Sequence, residues 1–148
     1  MNEAIFFAFV VIVFLVVFPL FWIAIVYLIA RLGGWSDLAK QYALQEPYSG
    51  TTFQMQSVTI GILGNYRSVV TIGANDVGLY LKPLVLYRPG HPPLLIPWDD
   101  IEPGQARGLS FVEMISFSPR KTPKRTISIS KKLAGKLSDA SGRAWSGE

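Results

Sequence analysis

The chain has 148 residues, with 14 Lys and Arg against 10 Asp and Glu, a single His and no Cys. That length accommodates one small domain and an appendage. Without cysteine there is no disulfide, thiolate nucleophile or Cys-based metal site, and a net charge of +4 favours anionic partners only weakly.

The first element is AIFFAFVVIVFLVVFPLFWIAIVYLIA, Ala4 to Ala30, 27 residues without a charge. About 20 apolar residues cross a bilayer, so residues 4–30 are predicted to form a transmembrane helix. As a straight helix the run would measure about 40 Å. This exceeds the roughly 30 Å hydrocarbon core, so tilt or interfacial ends are expected. A secretory signal would carry a basic leader and a shorter apolar stretch. Here only Met1-Asn2-Glu3 precede the run, so a retained anchor is expected. Arg31 and Lys40 follow it and no cation precedes it, which puts the N-terminus outside and the C-terminal part in the cytoplasm. Pro19 removes one backbone donor and favours a kink. Tyr27 suits a membrane interface. The run holds no ionisable residue of pore or proton-relay type. It reads as an anchor.

Residues 31–50 read as a juxtamembrane helix and linker. Gly33-Gly34 ends the first helix, Ser36 offers an N-cap and Asp37 suits the positive end of a helix dipole. Leu38, Ala39 and Tyr42 recur at helical spacing before Pro47, which predicts a short amphipathic helix over 37–44. It either packs on the following domain or lies along the membrane, where Trp35 could insert.

From Thr51 the period shortens. FQMQSVTIGI, SVVTIGA, GLYLKPL, VLYR, LLIPW, GLSFVEMISFS and RTISIS are rich in β-branched and aromatic residues and are bounded by turn-forming clusters. Ile127 and Ile129 share one face of the last run. SKKLAGKLSDASG then has helix chemistry, with Ser130 as cap and Leu133 with Leu137 as an i, i+4 pair. About seven strands followed by one helix predict an α+β domain over 51–142, a bent antiparallel sheet closed by the C-terminal helix. The remainder, 143–148, reads as a flexible tail.

One stretch invites a catalytic reading. GHPPLLIPWDDI, residues 90–101, holds the only histidine beside two aspartates and a tryptophan. Pro92 and Pro93 cannot donate to a sheet, so the strand starts after them, and Pro97 confines part of it to an edge. Leu94, Leu95, Ile96 and Trp98 supply buried positions, and Asp99 and Asp100 fall in a turn. Adjacent carboxylates on a strand or turn point apart, and no second histidine can complete a metal site. The stretch is therefore read as scaffold, with Trp98 in the core. Gly61–Gly64 is too short for a phosphate loop. Neither enzymatic activity nor a cofactor is expected.

GLYLKPLVLYRPGHPPLLIPWDDI, residues 78–101, resembles a pattern in uncharacterised bacterial single-pass membrane proteins that carry a pleckstrin-homology-like (GRAM-like) domain. In that pattern a GLYL strand leads to a strand ending in IPW, then a polar turn and an isoleucine. The resemblance covers about two-thirds of the chain. It implies a seven-stranded, strongly bent sheet capped by a C-terminal helix, no enzymatic activity, and structural roles for Gly78, Leu79, Tyr80, Leu81, Ile96, Pro97, Trp98 and Ile101. It also implies the bacterial inner membrane as the location. Inositide-binding members cluster cations around the first hairpin loop. Here that loop, LGNYRS, offers Arg67 alone, a departure that argues against inositides.

The remaining signal is charge. Arg120, Lys121, Lys124, Arg125, Lys131, Lys132 and Lys136 occur with no intervening acid and make up seven of the fourteen cations. A solvated face and a contact with anionic lipid headgroups both fit. Nucleic acid is disfavoured because no aromatic residues are interleaved for base stacking. The functional expectation is a membrane-anchored, non-catalytic interaction module whose partner is another membrane or cytoplasmic protein or an anionic membrane surface. The alternative is an accessory subunit of a larger membrane complex.

Overall fold

The computed structural model describes residues 2–61, 63–101, 106–109 and 112–142; the predicted tail, 143–148, lies outside them. A long helix, α1 (Glu3–Gly33), comes first, with the Asn2 side chain accepting from the Ala4 amide at its start. Pro19 lies inside α1, and the helix runs on through it. The helix is long and apolar enough to cross a membrane, and only 6% of its most apolar window is buried.

At Gly34 the backbone takes the left-handed conformation, with φ of 98°, and ends α1. The next helix, α2, starts at once and covers Trp35–Tyr42. Sequence placed it at 37–44 with a Ser36 cap. In the structure Gly34 occupies the cap position without a side-chain hydrogen bond. The earlier start turns Trp35, Leu38 and Tyr42 onto one buried face.

The sheet strands are β1 (Thr51–Ile60), β2 (Gly64–Ala74), β3 (Gly78–Pro83), β4 (Leu94–Pro97), β5 (Ala106–Leu109), β6 (Val112–Phe117) and β7 (Ile127–Ser130), in spatial order β4-β3-β2-β1-β7-β6-β5. All pairings are antiparallel. The sheet curls into a half-barrel around β1. Register shifts on both sides of Gln56, with Met55 and Ser68 at positive φ, mark the bend. Extra residues of this kind increase local twist and re-aim a strand. Beyond the bend, Thr59 and Ile60 pair with β7 as well as with β2, so one strand joins both halves of the sheet.

Six of the seven predicted runs form strands. The exception is VLYR: Val85–Tyr87 is a 3-10 turn, closed by the Tyr87 amide on the Leu84 carbonyl. The β2–β3 ladder ends at Val70 and Pro83, with one further bond from the Leu84 amide to the Val69 carbonyl, and the Leu86 carbonyl accepts from the Trp22 indole instead of a strand. The predicted run GLSFVEMISFS is not one strand either. Its described residues form two strands, and the short β5 pairs antiparallel with β6. Pro97 lies on the edge strand β4, where its missing donor costs no ladder bond.

α3 (Lys131–Ser141) closes the open end of the sheet. Ser130 Oγ accepts from the Leu133 amide at 3.1 Å, and Leu133, Ala134 and Leu137 are buried. The core lies between α3, α2 and the inner sheet face, and Ile72, Leu79, Leu81, Ile96, Ile127 and Ile129 are among its wholly buried side chains. Ala30, Trp35, Leu38 and Tyr42 belong to the same cluster. Residues 31–50, predicted as a juxtamembrane helix and linker, thus supply part of the core through the helix, as the packed one of its two expected placements requires.

Candidate functional site

The predicted scaffold stretch comes first. Gly78 pairs with Pro97, Leu79 with Ile96, Tyr80 with Leu95 and Leu81 with Leu94. Tyr80, Trp98 and Ile101 are buried beside them, and Trp98 Nε1 donates to the Asn75 carbonyl at 2.7 Å. These residues form the outer ladder of one sheet half and its closing turn.

His91 is the buried polar side chain of the core among the described residues. Its Nδ1 lies 2.9 Å from the Pro89 carbonyl, which can only accept, so Nδ1 carries the proton. Nε2 is then the acceptor for Tyr66 OH at 2.8 Å. Burial lowers the His91 pKa, against a smaller opposing effect of the Pro89 hydrogen bond. Burial raises that of Tyr66, so the pair stays neutral around pH 7. The Trp35 ring packs against both, and its Nε1 donates to the Pro92 carbonyl at 2.9 Å. Asp99 is exposed, while Asp100 accepts from Tyr42 OH at 3.0 Å. Burial is the main cause of a raised Tyr42 pKa, and the Asp100 contact adds to it. His91 and Asp100 therefore serve separate contacts, and Asp99 faces outward.

The basic segment divides into two groups. Arg120, Lys121, Lys124 and Arg125 lie in the loop before β7, against α2. Arg125 is occupied, with Nε 2.8 Å from Asp37 Oδ2. Lys121 sits 6.0 Å from the centre of the Tyr42 ring. Lys131, Lys132 and Lys136 begin on the far side of β7, about 13 Å of extended chain away, and Lys136 lies over Phe53 of β1. Lys121 and Lys124 remain exposed beside Lys40, on the side of α2 that adjoins Tyr27 and Arg31.

The junction of α1 with the domain was not legible in the sequence. Val26, Ala30 and Gly33 are buried and Trp22 is half-buried, one face of the helix at i, i+4, i+8, i+11. Gly33 meets Gly64 at the start of β2 so closely that a Cβ on Gly64 would fall 2.6 Å from the Gly33 and Ile60 carbonyl oxygens. The start of β2 is thus packed against the end of the helix. Gly90 lies against Tyr27 and Ala30, with a built Cβ 2.8 Å from the tyrosine ring. Higher on α1, Trp22 Nε1 donates to the Leu86 carbonyl at 2.7 Å, and its ring meets Tyr87 edge-on at 5.7 Å. The domain grips the last third of α1 and leaves Glu3–Phe21 projecting, about 28 Å of helix. Gly33-Gly34 is therefore a fixed corner.

Beside this junction, a cleft of about 660 Å³ opens between the segment after α2 and the outer face of β1–β3. Stacked Tyr48 and Tyr80 rings, 4.1 Å apart, form one wall, and Lys82, Arg88, Met55 and Val85 line its mouth. Among the described residues, no group of three or more His, Cys, Asp or Glu side chains is placed to hold a metal ion. Comparison with protein-family models, curated proteins and solved structures found no match for the chain.

Proposed function

We propose that the chain is a membrane-anchored, non-catalytic interaction module whose pleckstrin-homology-like domain stands on the cytoplasmic side of a bacterial inner membrane. The carrying observation is the seat of α1 in the domain: one continuous helix supplies an exposed apolar stretch of bilayer length and, in its last turns, core residues of the sheet domain. A span built into a domain in this way sets the height and rotation of that domain over the membrane.

The strand order supports the pleckstrin-homology-like reading, because two antiparallel halves meet through β1 and β7 and α3 follows the last strand. The separate engagement of His91 and Asp100 supports a binding role over a catalytic one. Arg31 and Lys40 at the base of α1, with Lys121 and Lys124 exposed nearby, support the cytoplasmic placement. They also suit contact with an anionic surface. The outer faces of the sheet and α3 remain for a protein partner.

The test is fractionation and labelling of the full chain in bacterial membranes. Retention in the pellet at alkaline pH, with a single cysteine at Asp76 labelled only after permeabilisation of the inner membrane, is the expected result. Release into the supernatant overturns the anchor, and labelling in intact spheroplasts overturns the orientation. Migration in a large complex on native gels would favour the accessory-subunit reading.

A further inference from the structure

The 3-10 turn at Val85–Tyr87 is placed oddly for a soluble surface. Val85 and Leu86 are 76% and 65% exposed, and Leu84 beside them is exposed as well. Pro83 to Tyr87 carry no charge, and Lys82 and Arg88 bound them on either side. The turn is held to α1 at Trp22, inside the apolar run and nine residues before Arg31.

We propose that Leu84–Tyr87 is a second membrane contact, a wedge that enters the same leaflet as the C-terminal half of α1 with Lys82 and Arg88 at the headgroups. The inference rests on the membrane-spanning reading of α1. Nine helical residues place Trp22 about 13 Å from Arg31 along the axis. The headgroup layer is about 5–8 Å deep on each side. With Arg31 at its outer edge and α1 near the membrane normal, Trp22 and the turn it holds lie about 5–8 Å below the hydrocarbon surface.

Several backbone groups of the turn are paired as that depth requires. In hydrocarbon an unpaired amide or carbonyl is costly, so irregular backbone needs protein partners. The Leu84 amide donates to Val69, Tyr87 to Leu84 and Arg88 to Val85, while the Leu86 carbonyl accepts from the Trp22 indole. Continuity with the exposed apolar surface of α1 selects lipid as the occupant. The same bilayer that covers Phe18 and Phe21 reaches the turn without a break.

The absence of native cysteine allows single-site labelling. Full-length Val85→Cys, Leu86→Cys, Phe14→Cys and Asp76→Cys, each carrying an environment-sensitive fluorophore, are reconstituted in phosphatidylcholine–phosphatidylglycerol vesicles. They are then quenched with doxyl-labelled lipid or with aqueous iodide. Asp76 is an exposed charged position in the β2–β3 turn and serves as the aqueous reference. The expected result is strong lipid quenching at 14, 85 and 86, with iodide quenching several-fold weaker there than at 76. Lipid quenching at 14 with iodide-accessible 85 and 86 overturns the wedge and leaves the span standing. Shielding of 85 and 86 from both quenchers also overturns the wedge and assigns the turn to a protein partner or second copy. Failure of lipid quenching at 14 removes the span and the wedge with it.

Discussion

Trp35 separates two arrangements of the chain that share every local feature. If α2 lay along the bilayer, the indole would insert among headgroups and its loss would leave the fold intact. In the structure the ring is wholly buried between Tyr66 and His91, with centroid distances of 5.4 and 5.3 Å, and its nitrogen satisfies the Pro92 carbonyl. Burying about 200 Å² of aromatic surface at ~25 cal/mol per Å² gives an upper figure of about 5 kcal/mol. Truncation of buried Phe or Trp to alanine costs about 3–5 kcal/mol. The two figures agree, and either is a large part of the roughly 5–15 kcal/mol that holds a domain together. Trp35→Phe keeps most of the ring and removes the donor, leaving the Pro92 carbonyl unpaired at a cost of about 1–3 kcal/mol. At about 4–8 °C per kcal/mol for a domain near 100 residues, alanine should lower Tm by more than about 10 °C and phenylalanine by an intermediate amount. The assay is thermal unfolding of the full chain in nanodiscs, followed by near-ultraviolet circular dichroism. An alanine variant that melts with the wild type would place Trp35 outside the core and return α2 to the membrane surface. A phenylalanine variant as stable as the wild type would remove the Pro92 hydrogen bond from the account.

Burial holds His91 neutral with a lowered pKa, whereas the unfolded side chain titrates near ~6.5. Stability should be full above about pH 6.5 and fall below it by up to ~1.4 kcal/mol per pH unit, until the folded histidine itself takes up a proton. Urea midpoints that coincide at about pH 7.5 and 5.5 would contradict the buried, neutral assignment, whose window lies around the free histidine value. Gly64→Ala drives a Cβ into the Gly33 and Ile60 carbonyl oxygens; a loss of about 1–3 kcal/mol is expected, with faster hydrogen exchange at Trp35, and an unchanged melting curve would show that the helix seat is loose. Ser130→Ala removes the α3 cap and should cost about 1 kcal/mol in chemical denaturation, with Ser130→Asp recovering most of it; equal stability of the alanine variant would rule out the cap.

Local chemistry made several elements readable. The uncharged run fixed α1, because a bilayer-length apolar helix needs no partner to be recognised. Ser130 with Leu133 and Leu137 marked α3, and alternation of Ile127 and Ile129 marked β7, since capping and period-2 patterns lie within a few residues. The strand at Leu94–Pro97 and the turn holding Asp99 and Asp100 were readable from the prolines that flank and end it. What only the tertiary structure decided was distant in sequence. Trp35 meets Pro92 across 57 positions, Trp22 meets Leu86 across 64, and Arg125 meets Asp37 across 88. VLYR has the composition of a strand, yet it became a turn whose Leu86 carbonyl is held by Trp22 of α1, 64 positions away. The cationic segment looked continuous, but β7 separates its halves and one arginine is occupied by an aspartate on another element. Sequence reports what a segment can do alone. Which face of α1 is gripped, and which apolar residues stay outside the core, depends on the closing of the sheet around Gly64 and Gly90.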